Sequence, residues 1–249
     1  MAFYGVDINI IIGTMLGGLI SGLIGYILER LRIKNELRTK HFEDIKKNCL
    51  QPLRTELMHL LSSFEFNESS SLTPESLKEL IDADPKWWES FSLKERIGNI
   101  PLFNDLRNHF VKLHEKLCTI DTLVISKYPE FIENAIKLSE AIHSDKRLQE
   151  ISSKLKSAVP TDISFEVFKA VFFIAIGYEK GSWPNIYGKI VKLRDKDLIF
   201  ELGKQYGNLR CANDLRKISE EVRNVLCSCM EMIDEIMLKT KLEGSCKYI

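Results

Sequence analysis

Ile8-Asn-Ile-Ile-Ile-Gly-Thr-Met-Leu-Gly-Gly-Leu-Ile-Ser-Gly-Leu-Ile-Gly-Tyr-Ile-Leu28 contains no charged residue. As a helix it measures about 31 Å at ~1.5 Å per residue, the thickness of a hydrocarbon core. Eleven of its positions are Ile or Leu. Together they favour insertion by roughly 3–7 kcal/mol, and no charge opposes them at the centre. A cleaved secretion signal would begin with basic residues and end in a neutral, small-residue flank. Here Met1 to Asp7 contains no Lys or Arg, and the flank after Leu28 is strongly basic. The expectation is a single transmembrane helix over 8–28.

That flank sets an orientation. Arg30, Arg32, Lys34, Arg38 and Lys40, followed by Lys46 and Lys47, stand against Glu29, Glu36, Glu43 and Asp44. Basic residues beside a span are retained on the cytoplasmic side. The short N-terminus, 1–7, is therefore expected outside and the long C-terminal part in the cytoplasm. Within the span, Gly13, Gly17, Ser21 and Gly25 recur every fourth residue, with Thr14, Gly18 and Gly22 beside them. Residues four apart share a helix face, and a face without bulk lets a second helix approach closely in lipid. The expected partners are thus the bilayer and further copies of the chain.

The helical pattern does not stop at the span. Leu28, Leu31, Leu37, Phe42, Ile45 and Leu50 keep helical spacing, and no Pro or Gly lies between Gly25 and Pro52. A membrane-proximal stalk over 29–66 is expected, kinked or restarted at Pro52 and followed by a Ser-rich linker over 67–73. A cytoplasmic all-helical domain should fill 74–249, which is long enough for a sizeable core. Helix starts are marked by Thr73-Pro74-Glu75, by Asp84-Pro85-Lys86, and by Ser92 with Glu95. Leu102, Leu106, Phe110, Leu113, Leu117 and Val124 trace one apolar stripe, and further amphipathic segments cover 130–142 and 148–159. Residues 163–178 are apolar on nearly every side but too short to span, so they read as a buried central helix, with a second membrane contact as the alternative. The segment 213–241 carries Leu215, Ile218, Val222, Val225, Cys229, Met232 and Ile236 at alternating steps of three and four. This seam pairs either with a helix of the same domain or with a protein partner. The fold class is all-α.

The chain holds 35 basic and 35 acidic residues, so it has no net charge. No basic, aromatic-interleaved patch suggests nucleic-acid binding. The six cysteines form no C-x-x-C pair. Cys227 and Cys229 point in nearly opposite directions on a helix, which suits reduced thiols better than a metal site or a local disulfide. No cofactor is expected. Trp87-Trp88 and Trp183-Pro184 read as packing residues.

Two patterns could carry chemistry. Glu56/His59 and Glu140/His143 repeat the spacing Glu-x-x-His, which puts both side chains on one helix face. The repeat resembles, at motif level, the di-iron carboxylate site of ferritin-like four-helix bundles. That resemblance implies a metal held by these four residues and by two more carboxylates such as Glu43 and Glu115. Separately, Arg107-Asn108-His109-Phe110-Val111-Lys112-Leu113-His114 is similar to the motif of the HEPN ribonucleases, small all-helical domains that often dimerise across the site. This likeness implies a membrane-tethered ribonuclease in which Arg107 holds the scissile phosphate and His114 shuttles a proton. Nucleic acid is an expected partner only in that reading. The leading reading is a non-enzymatic interaction or scaffold protein that clusters partners at a membrane.

Overall fold

The structure is a computed structural model that describes residues 8–82, 110–158 and 163–239; in the first helix, side chains are described from Ser21 onward. Every regular element among them is helical. In chain order they are α1 (Ile8–Ile45), a π-helical turn (Lys46–Leu50), α2 (Gln51–Ser63), α3 (Pro74–Asp82), α4 (Val111–His143), α5 (Lys146–Ala158) and α6 (Ile163–Ala175). A 3₁₀ turn (Lys180–Ser182), α7 (Pro184–Ile190), α8 (Lys196–Gly207) and α9 (Arg210–Leu238) complete the order. The all-α class holds. The helix starts expected at Asp84 and Ser92, the pair Trp87-Trp88 and the thiol of Cys246 lie outside the described residues.

The chain runs from α1 into α2 without leaving helical backbone. Leu50 and Gln51 keep φ near −65°, and the Gln51 amide donates to the Lys46 carbonyl five residues back. The cause is Pro52, which has no N–H to give and whose ring would collide with the carbonyl four residues earlier. One widened turn removes the collision. Pro52 therefore does not restart the helix, which stays continuous through it.

The expected stalk is largely part of the body. Phe42, Ile45, Cys49, Leu50, Leu53, Leu57, Leu60 and Phe64 are all fully buried in one core that extends to Ile236. Nor is 67–73 a linker. Leu72 is buried, the Asn67 side chain accepts from the Ser69 and Ser70 amides at 2.9 and 3.0 Å, and Glu68 reaches across to α7. The Thr73 start is observed: its hydroxyl accepts from the Ser76 amide at 3.2 Å.

α2 and α4 both run antiparallel to α9. Arg54 meets Asp234 and Glu65 meets Arg223 on one side; Lys116 meets Ser228 and Lys127 meets Glu221 on the other. α6 is the second hub, packed by α4, α5, α7 and α8. Val167, Val171, Phe172 and Phe173 are buried in it, as expected of a central helix. The part of the stripe from Leu113 onward and the segment 130–142 lie in a single helix, α4, which passes through Pro129; Leu102 and Leu106 lie outside the described residues. The heptad seam of α9 is spent inside the molecule. Leu215, Ile218, Val222, Cys229 and Ile236 are buried, joined by Leu226 and Ile233, and they pack on α4 and α2. Val225 and Met232 of the seam are partly buried against the same core.

Aromatic rings tie the two hubs. Phe66 stacks on Phe131 at 5.1 Å and meets Phe172 edge-on at 5.3 Å. Phe173 continues to Trp183, which packs edge-on to Tyr187. Trp183 is buried, the packing role expected of it.

Candidate functional site

From Ser21 to Leu37 no residue of α1 touches the body closely enough to be shielded: every one is exposed. Shielding begins at Arg38 and is complete at Phe42. Leu23, Ile24, Ile27 and Leu28 stand out in the open, Leu28 at 61 %. The amphipathic stripe expected over Leu28, Leu31 and Leu37 has no matching surface until Phe42; Leu31 is 52 % exposed. Gly22 and Gly25 have nothing within 4 Å of where a Cβ would stand. Among the described residues, no helix is long and apolar enough to cross a membrane. Most of the uncharged run, including Gly13 and Gly17, precedes Ser21, so its side chains lie outside the described residues.

Charge follows immediately on the open apolar turns. The Arg30 guanidinium lies 5.6 Å from the centre of the Tyr26 ring. Arg32 is bound to Glu36 at 2.9 Å, and both side chains are more than half exposed, so the pair adds little stability. Lys34, Arg38 and Lys40 complete the flank. Nearer the body, the Lys46 ammonium sits 4.7 Å from the Phe42 ring and 2.9 Å from Glu43. The sequence reading did not single out Ile33 or the contact of Tyr26 with Arg30; an aromatic four residues before an Arg on one helix is the local signal for that contact.

The ribonuclease pattern is not assembled on one helix. α4 begins at Val111, and Phe110 before it has φ −134° and ψ 60°, outside helical geometry. The argument that a seven-residue step puts Arg107 and His114 on one face does not extend across that break. Arg107 and Asn108 lie outside the described residues. His114, in the first turn of α4, has Cys118 Sγ 3.9 Å from its Nδ1.

The Glu-x-x-His pairs are likewise separate. Glu56 and His59 lie on α2, while Glu140 and His143 lie at the far end of α4. Glu140 is paired with Lys78 at 2.5 Å. His143 stacks on Phe168 at 4.5 Å and its Nδ1 is 2.9 Å from the Ser139 carbonyl, so ring and nitrogen serve packing. Glu43 is engaged by Lys46. Among the described residues, no cluster of three or more His, Cys, Asp or Glu could hold a metal ion. Cys49, Cys118, Cys211, Cys227 and Cys229 form no disulfide. Cys229 is buried against α4 and α2, and burial pushes its thiol up to about 11, so it is a poor nucleophile at neutral pH.

One cleft of about 280 Å³ opens between the turn at Phe66, the turn at Tyr178 and α9. Its floor is Phe66, Phe131 and Ile176. Of the charged residues that line the cleft, Arg223 pairs with Glu65 and Arg216 with the Gly207 carbonyl and Asn213, while Glu220 is exposed.

No protein-family model, no curated protein and no solved structure matches this chain.

Proposed function

We propose that this protein is a membrane-anchored helical interaction protein, held by 8–28 with its helical body on the cytoplasmic side, and that it self-associates through the face carrying Gly13, Gly17, Ser21 and Gly25. The observation that carries the reading is the open length of α1. Four large apolar side chains, Leu23, Ile24, Ile27 and Leu28, are left uncovered. Fully burying one is worth ~1.5–3 kcal/mol, and with each about half exposed the four together forfeit about 3–7 kcal/mol, a large share of the net stability of a domain. A helix lying on protein needs one apolar stripe. This one is uncharged around its whole circumference from Ser21 to Leu28, the pattern of a helix solvated by lipid. The basic flank orients it.

The test is extraction of membranes containing the full chain with alkaline carbonate. The protein should stay in the pellet, and cross-linking should trap oligomers that Gly17→Ile with Gly25→Ile abolishes. Release of the wild-type chain into the supernatant would overturn the anchor, and unchanged cross-linking in the double variant would overturn the glycine face.

A further inference from the structure

We propose that the turns of α1 that straddle the end of the apolar run, Tyr26 to Leu37, bind the headgroups of anionic phospholipids in the leaflet facing the body. This inference rests on the anchor reading. Arg30, Arg32 and Lys34 follow Leu28 by two, four and six residues, which is about 3–9 Å along the axis, the depth of a headgroup layer. Arg38 and Lys40 lie about 15–18 Å out, beyond a Debye length of about 8 Å at physiological salt, and feel the surface weakly.

The distribution around the helix selects the kind of partner. At about 100° per residue, Arg30 and Lys34 fall on one side and Arg32 on nearly the opposite one. Leu31 and Ile33 are divided in the same way, and both are exposed. A protein partner would approach one face and leave the other bases and apolar groups in water. A lipid surface surrounds the helix and meets all of them, with phosphates at the guanidinium and ammonium groups and the interfacial layer beneath the headgroups around Leu31 and Ile33. Arg30 over the Tyr26 ring adds a planar aromatic group at the boundary, where such rings concentrate.

The experiment uses the full chain reconstituted in phosphatidylcholine vesicles doped with spin-labelled phosphatidylglycerol or spin-labelled phosphatidylcholine. Electron spin resonance measures the motionally restricted lipid at the protein surface. The anionic label should associate severalfold more strongly, up to about fivefold for each base engaged. The preference should fall towards unity in Arg30→Gln/Arg32→Gln/Lys34→Gln and at high salt, and it should survive Arg38→Gln/Lys40→Gln. Equal association of the two labels with the wild-type chain would overturn the headgroup inference while leaving the anchor standing. Equal loss in the outer double variant would overturn the placement. Absence of any restricted lipid component would overturn the anchor itself.

Discussion

Asp145 closes α4 and opens α5. Its carboxylate accepts from the Arg147 amide at 2.8 Å and from the Arg147 guanidinium at 2.8 Å, and the Tyr206 hydroxyl donates to it at 2.9 Å. The Arg147 guanidinium, helped by Tyr206, holds the carboxyl at about 2 against an ordinary value of 3.8. Burial and the neighbouring carboxylate push Tyr206 up to about 12 in turn. A carboxyl depressed in the folded state stabilises the fold fully above its unfolded value, and that contribution is lost as pH falls from about 4 towards 2. The shift corresponds to about 2 kcal/mol. Asp145→Asn should lower stability at neutral pH by that order and flatten the acid limb between pH 4 and 2 in chemical unfolding; an unchanged limb would refute the assignment. Glu68 works in a similar way, accepting from the Asn185 and Ile186 amides at 2.7 and 3.1 Å at the start of α7. Burial opposes its charge, but these bonds outweigh it and hold the carboxyl below its usual range. Arg147 is within local reach of Asp145, but the Tyr206 bond and the Glu68 contacts with α7 were not legible in the sequence, because those partners lie tens of residues away.

The pairing of α6 with α8 depends on an absent side chain. A Cβ on Gly203 would stand 2.6 Å from Ile174 Cβ, and one on Gly207 would stand 3.2 Å from the Ala175 carbonyl oxygen. Gly203→Ala forces α8 away from α6 and should cost ~1–3 kcal/mol by overpacking. For a chain of this size, that lowers the melting temperature by roughly 2–4 °C per kcal/mol, measurable by calorimetry of the full chain in detergent. A melting temperature unchanged or raised would show that Ile174 gives way. The spacing Gly203-x-x-x-Gly207 is the same signal read in α1, yet only the one in the apolar run drew attention. The apolar periodicity of α9 was legible in full, and so was the buried character of α6. What α9 packs on was not: an amphipathic stripe states that a face is covered and is silent on what covers it.

At the scale of the whole molecule, the protein is a helical body on an open rod. The residues from Ser21 to Leu37 contribute nothing to the core, whose first member is Phe42. Removing 1–28 should therefore leave the melting temperature of the body unchanged within error while abolishing membrane association. A melt that broadens or falls by several degrees would show that the first helix supports the body after all. The chain enters the body in continuous helical backbone, with the π turn just ahead of Pro52.

The sequence by itself determined the helical class, the place of the uncharged run, the charge flank that follows it and the faces that must be covered. All of these follow from composition and from a period of 3.6 residues, which are local properties. Only the tertiary structure decided where the free rod ends and the body begins. Residues 28–37 and 42–53 carry comparable apolar patterns, and burial depends on whether α9 and α4 stand beside them. The same applies to the chemistry: the Glu-x-x-His pairs and the Arg107–His114 step are spacings along the chain. A site needs groups from different helices to meet in space, which the spacing along one helix does not encode.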